Sequence, residues 1–143
     1  MTTTVAPPAH TTSHRVALAR SRHAPEVARK ITARWLADCH APLGTAFDAM
    51  LIVSELVTNT LRHTSGPCTL MLTARGSELD IAVADTSAEA PRARTLTCAD
   101  ERGGFGLSLL DELGARVTVA PSPQGKTVHA ALDLGREPLD LGG

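Results

Sequence analysis

The segment from Phe47 to Leu61 limits the fold more than any other part of this 143-residue chain. Phe47, Met50, Leu51, Ile52, Val53, Leu56, Val57 and Leu61 are spaced so that a helix through them is apolar around most of its circumference. Such a helix cannot lie on a surface with one face wet. It needs a sheet to cover it, so the chain should be built around one central helix. Thr45, with Asp48 three positions later, resembles a capping box and predicts that the helix begins there. Ser65-Gly66-Pro67 should end it.

The flanking patterns supply the sheet. Val16 and Leu18 suggest a short first strand, and Pro25 sits where a first helical turn accepts it. A helix toward Ala37 follows, with Val27, Ile31 and Trp35 as its expected apolar stripe. Leu70 and Leu72, then Leu79, Ile81 and Val83, alternate as two strands about an Arg75-Gly76-Ser77 turn. From Thr86 to Arg102 no periodicity survives, a length usual for a lid. Gly103-Gly104-Phe105-Gly106 then opens a short helix through Leu113. Val117, Val119, Val128, Ala130 and Leu132 form a last pair of strands around Ser122-Pro123-Gln124-Gly125. Strands outnumber crossover helices, which predicts an α+β fold: two layers, a mixed and mostly antiparallel sheet, helices on one face. Residues 1–13, rich in Thr, Pro and Ala, are expected as an arm, 14–134 as the single domain, and 135–143 as a tail.

Composition narrows the function. Trp35, Phe47 and Phe105 are the only aromatic residues, too few to stack bases in a nucleic-acid reader. A net charge of -1 provides no basic field for phosphate backbones or anionic lipid. Cys39, Cys68 and Cys98 form neither a disulfide framework nor a zinc knuckle, which fits a reducing cytosol. No apolar run reaches the ~20 residues of a membrane span, and no signal peptide is evident. A cytoplasmic protein without direct nucleic-acid or membrane partners is expected.

On the central helix Glu55, Asn59 and His63 recur every four residues along one stripe. A buried carboxylate or amide is costly without partners. Either Glu55 and Asn59 are satisfied inside the protein, or their stripe borders a cavity that takes a polar ligand. His63 suits a helix C-terminus, where a cation complements the dipole. Asp85 closes a strand, either starting an Asx turn or offering a carboxylate at the sheet edge. Gly104-Phe105-Gly106 before a helix lets backbone N–H groups approach an anion. Gly125-Lys126-Thr127 reads as a tight hairpin turn, and the chain has no Walker pattern.

Glu-x-x-x-Asn on a helix, Asp at a strand end, a lid, Gly-x-Gly at a helix start and Gly-Lys-Thr entering the last strand occur here in that order. Together they resemble the ATP-binding Bergerat fold shared by gyrase, Hsp90, histidine kinases and MutL. SELVTNTLRH and GGFGLSLLDEL are most similar to the small bacterial anti-sigma factor serine kinases and their regulatory relatives. The resemblance covers nearly all of residues 15–134.

The resemblance implies ATP and Mg²⁺ as cofactors. Asn59 would bind the metal, and Glu55 would be the general base toward an attacking hydroxyl. Asp85 would accept from the adenine amino group, with Thr127 supporting it. Gly104, Gly106 and Leu107 would line the phosphates, and Arg62 and Arg102 are candidate phosphate contacts. It also implies a serine/threonine kinase acting on an anti-sigma factor antagonist, with a sigma factor as second partner and a homodimer as a possible state. The alternative is a non-catalytic nucleotide-sensing module that binds a regulatory protein, and a third is an interaction domain with an empty pocket. No dimerisation helix with a phosphoacceptor His is evident, so histidine autokinase chemistry is not expected within the chain. Where the family commonly has Asp-x-Gly-x-Gly, this chain reads Asp85-Thr86-Ser87-Ala88-Glu89, without either glycine.

Overall fold

A computed structural model describes residues 11–86, 110–123 and 125–134. Its elements are β1 (Thr11–Leu18), α1 (Ala24–Asp38), α2 (Leu43–His63), β2 (Cys68–Arg75), β3 (Glu78–Asp85), β4 (Arg116–Ser122) and β5 (Gly125–Asp133). The strands form one sheet in the order β1-β2-β3-β5-β4. α2 packs over β3 and β5, while α1 lies beside α2 and over β1. The architecture is therefore the expected two-layer α+β sandwich. Every strand pairing described is antiparallel, so the sheet is not mixed.

α2 is the centre of the core. Ile52, Val53 and Val57 are completely buried against Leu70, Leu72, Leu79 and Ile81 of the sheet. Each such side chain contributes about 1.5–3 kcal/mol on leaving water. Two of the three buried threonines inside the helices are satisfied locally. Thr32 Oγ1 donates to the Ala28 carbonyl (2.8 Å) and Thr60 Oγ1 to that of Leu56 (2.9 Å). In the β2–β3 hairpin Arg75 faces Glu78, leaving Gly76-Ser77 as a two-residue loop. Gly76 takes a φ of 60°, which a loop with Gly first requires.

Several local expectations are corrected. α2 starts at Leu43, because the carbonyl of Pro42 already accepts from Ala46 N–H (3.0 Å). Thr45 is consequently an interior, buried residue and makes no capping box. The buried stripe of α1 runs through Ala24, Ala28, Thr32, Trp35 and Leu36, leaving Val27 44% exposed. Phe47, expected in the core, is 61% exposed near the start of α2. β1 begins at Thr11, inside the stretch expected as an arm. Backbone pairing with β2 holds it, since residues 11–15 are all exposed.

Two helix ends close by the same device. After α1, His40 adopts a φ of 59° while His40 and Ala41 N–H groups donate to the carbonyls of Ala37 and Leu36 (both 3.0 Å). At 110–112 the last turn of a helix ends at Gly114, φ 82°, with Gly114 and Ala115 donating to Asp111 and Leu110. Both are Schellman closures. The second seals the C-terminal end of the helix expected after the glycine run, and Leu110 anchors it in the core. The beginning of that helix and the expected lid from residue 87 lie outside the described residues.

Candidate functional site

The sheet ladder brings four residues into one row at one end of the fold. Leu18 pairs with Cys68, Cys68 with Asp85, and Asp85 with Lys126. Side chains alternate faces along a strand. In β3 the fully buried Leu79, Ile81 and Val83 point to the helices, and Asp85 shares their parity. In β5 the buried Val128, Ala130 and Leu132 do the same, and Lys126 shares theirs. Asp85 and Lys126 thus meet beneath the helical layer. Lys126 Nζ donates to Asp85 Oδ2 at 2.8 Å, with the two side chains 18% and 2% exposed.

Thr127 has the opposite parity. It pairs with Ala84 and lies with His129 on the outer face of the sheet, so it does not support Asp85 as the resemblance implied. The position beside Asp85 belongs to Lys126. The signal was available in the sequence, since Lys126 keeps the two-residue period of Val128, Ala130 and Leu132 whereas Thr127 breaks it. Gly125 and Cys68 shape the surroundings of Asp85. A Cβ on Gly125 would collide with the Asp85 carbonyl oxygen and stand 2.9 Å from its Oδ1, so only glycine allows this close approach. Burial, and secondarily the Asp85 carboxylate, push the Cys68 thiol above its ordinary pKa, keeping it protonated and uncharged.

α2 supplies the second wall. Only residues 64–67 separate its end from Cys68, which brings the last turns of α2 to the same end of the fold as Asp85. Arg20 fixes that end by donating from one guanidinium nitrogen to the carbonyls of Leu61 (3.1 Å) and Thr64 (2.9 Å). Around the helix, at about 100° per residue, Asn59 stands about 140° from Ser54 and Glu55 about 100°. Ser54 accepts a hydrogen bond from Arg29 of α1 (2.9 Å). Glu55 and Asn59 therefore occupy the flank of α2 turned away from α1. Both are half-buried, and neither makes a hydrogen bond or ion pair among the described residues. The internal satisfaction that the sequence left open as one reading is not seen among the described residues. Arg62 and His63 are exposed in the last turn of α2, where the Arg62 charge suits the helix dipole. Arg102, Gly104, Gly106 and Leu107 lie outside the described residues.

The donor set suits a nucleotide with Mg²⁺. Among the described residues no three His, Cys, Asp or Glu side chains gather, so no all-protein metal cage is present there. Mg²⁺ does not need one, since it keeps several waters and is commonly held by one or two side chains plus substrate phosphates. Asn59, with Glu55 a turn away, could provide that side-chain share. Asp85 provides a buried acceptor of the kind a base amino group requires. The other face of the sheet has an open cleft of about 310 Å³ lined by Thr73, Arg75, Glu78 and Asp80. It lies across the sheet from this site.

A helix carrying a half-buried Glu and Asn over an antiparallel sheet, with a buried Asp closing one strand, is the layout of an ATP-binding, kinase-like domain. Residues 17–132 match the family described as histidine kinase-like ATPase domain, and the chain belongs to that family. Among solved structures it is similar to the histidine kinase domain from the Erythrobacter litoralis EL346 blue-light activated histidine kinase. The identity is 24% and the TM-score 0.48, with 68% of this chain and 48% of that chain covered. The chain thus spans about half the length of that structure. No curated protein matches it. Among the described residues no helix is long and apolar enough to cross a membrane.

Proposed function

We propose that this protein is an ATP- and Mg²⁺-dependent serine/threonine kinase of the anti-sigma factor type. It phosphorylates an anti-sigma factor antagonist and, in the alternate partner state, sequesters a sigma factor in the cytoplasm. The observation that carries the chemical part is the pair Glu55 and Asn59, half-buried on the flank of α2 that faces away from α1 and unpaired among the described residues. Family membership supports ATP as the nucleotide. The SELVTNTLRH and GGFGLSLLDEL resemblance supports the partners.

In this reading Asn59 holds Mg²⁺, whose charge neutralises the triphosphate. Glu55 takes the proton from the attacking Ser or Thr hydroxyl, while Asp85 orients the base. Gly104, Gly106 and Leu107 serve the phosphate end. Incubation with labelled ATP, Mg²⁺ and a candidate antagonist tests the proposal. Transfer should be lost in Glu55→Gln with ATP binding kept, and Asn59→Ala should lose the Mg²⁺ dependence of binding. Transfer by Glu55→Gln at the wild-type rate would remove Glu55 from the chemistry.

A second reading is favoured by one observation. The Asp85 carboxylate is engaged by Lys126 at 2.8 Å, and both glycines after Asp85 are replaced. A nucleotide-sensing module that binds its protein partner without phosphorylating it would show ATP-dependent partner affinity and no labelled product.

A further inference from the structure

The Lys126–Asp85 pair has a consequence for which base the site takes. A lone carboxylate offers only acceptors. It matches the exocyclic amino group of adenine and repels the O6 of guanine, which is itself an acceptor. Here the carboxylate is not alone. Lys126 Nζ sits 2.8 Å from Oδ2 in the same ladder row, and with Asp85 only 2% exposed water cannot screen the contact well. Cys68, the partner of Asp85 on the other side of the row, is a neutral thiol and adds no compensating charge.

We propose that Lys126 is the base-selecting residue of this site: its ammonium competes with the adenine amino group for Asp85 and offers guanine O6 a donor. The site therefore discriminates weakly between ATP and GTP. The proposal rests on the nucleotide-binding reading above. It follows from the physics of a buried pair, because a ligand group that uses Asp85 must share or displace a charge-assisted bond already formed. An acceptor on the ligand meets a donor that an Asp-only site lacks.

The test is the ratio of ATP to GTP affinities, measured by calorimetry with Mg²⁺ on the full chain, for the wild type and for Lys126→Met. The wild-type ratio should be small, and Lys126→Met should raise it about tenfold or more, through tighter ATP, weaker GTP or both. Lys126→Gln, which keeps a donor beside Asp85 without the charge, should fall between them and serves if Lys126→Met does not fold. A ratio in the folded variants within about twofold of the wild type overturns the role of Lys126 and leaves the nucleotide reading standing. If neither nucleotide binds any of the three proteins, the nucleotide reading falls and this proposal with it.

Discussion

Removing either member of the Lys126–Asp85 pair should destabilise the fold, and by unequal amounts. The pair spans 2.8 Å with Asp85 2% and Lys126 18% exposed. At an effective dielectric constant of about 20, two unit charges at that distance attract by about 6 kcal/mol, much of which the desolvation of both groups offsets. Breaking a buried pair from one side typically costs about 3–5 kcal/mol, because a charge is left buried without its counter-charge. The geometry decides which side is worse. In Asp85→Ala the ammonium ends a flexible four-carbon stem that already reaches partial solvent, so it can swing outward. The expected loss is about 2 kcal/mol. In Lys126→Met the carboxylate is held on a short side chain at the end of β3 and cannot follow, so about 3–4 kcal/mol should be lost. The double variant removes both charges and should recover to within about 1 kcal/mol of the wild type, giving a coupling energy of about 4–6 kcal/mol. Urea unfolding of the four proteins measures each term, and the melting temperature should fall by about 3–5 °C per kcal/mol for a domain of this size. A coupling energy below about 0.5 kcal/mol, or a larger loss for Asp85→Ala than for Lys126→Met, would refute the reasoning.

Three further outcomes follow from the geometry. His40→Gly should stabilise the protein by about 0.5–1 kcal/mol, since glycine adopts the observed φ of 59° without the strain a Cβ brings, and urea midpoints would register the gain. Gly125→Ala should cost about 2 kcal/mol or more and weaken nucleotide binding, because its Cβ collides with the Asp85 backbone; unchanged stability and binding would contradict the close approach. Cys68 should give an alkaline pH dependence. Its thiol pKa is raised in the folded state from 9.0, mainly by burial and then by Asp85, so the unfolded chain ionises first. The stability it contributes is full below pH 9.0 and is lost as pH rises through the folded value. Cys68→Ala should lose less stability than the wild type between pH 8 and pH 10, and equal slopes would argue against a buried neutral thiol.

Much of the fold was legible because its causes are local. The apolar circumference of residues 47–61 demanded a covered helix, and α2 is that helix. The alternation of Leu70, Leu72, Leu79, Ile81 and Val83 about Gly76 is the β2–β3 hairpin, its loop one residue shorter than the expected Arg75-Gly76-Ser77 turn because Arg75 pairs with Glu78. The expected α1 stripe of Val27, Ile31 and Trp35 held at Trp35 but not at Val27, because the buried face of α1 runs through Ala24, Ala28, Thr32, Trp35 and Leu36 and leaves Val27 outward. Phe47 belongs to the same apolar pattern as Ile52, but it sits a turn from the start of α2 beyond the reach of the sheet.

The candidate site divides along the same line. Glu55 and Asn59 share a stripe by helical spacing alone, so the sequence by itself identified them as a polar pair that needs partners, inside the protein or from a ligand. Their place relative to α1 was decided by the tertiary structure, which sets Ser54, rather than Glu55 or Asn59, against Arg29 of α1. Asp85 was identified as a carboxylate at a strand end, but not what it touches. Its partner lies 41 residues away, and only the β3–β5 register makes them neighbours. Thr127 and Lys126 are adjacent in the chain and on opposite faces of the sheet. Strand alternation sends one residue to the core and the next to the surface, so the period of Val128, Ala130 and Leu132 marks Lys126 as the inward one, but that it meets Asp85 is a property of sheet pairing that no local pattern around Gly125 contains.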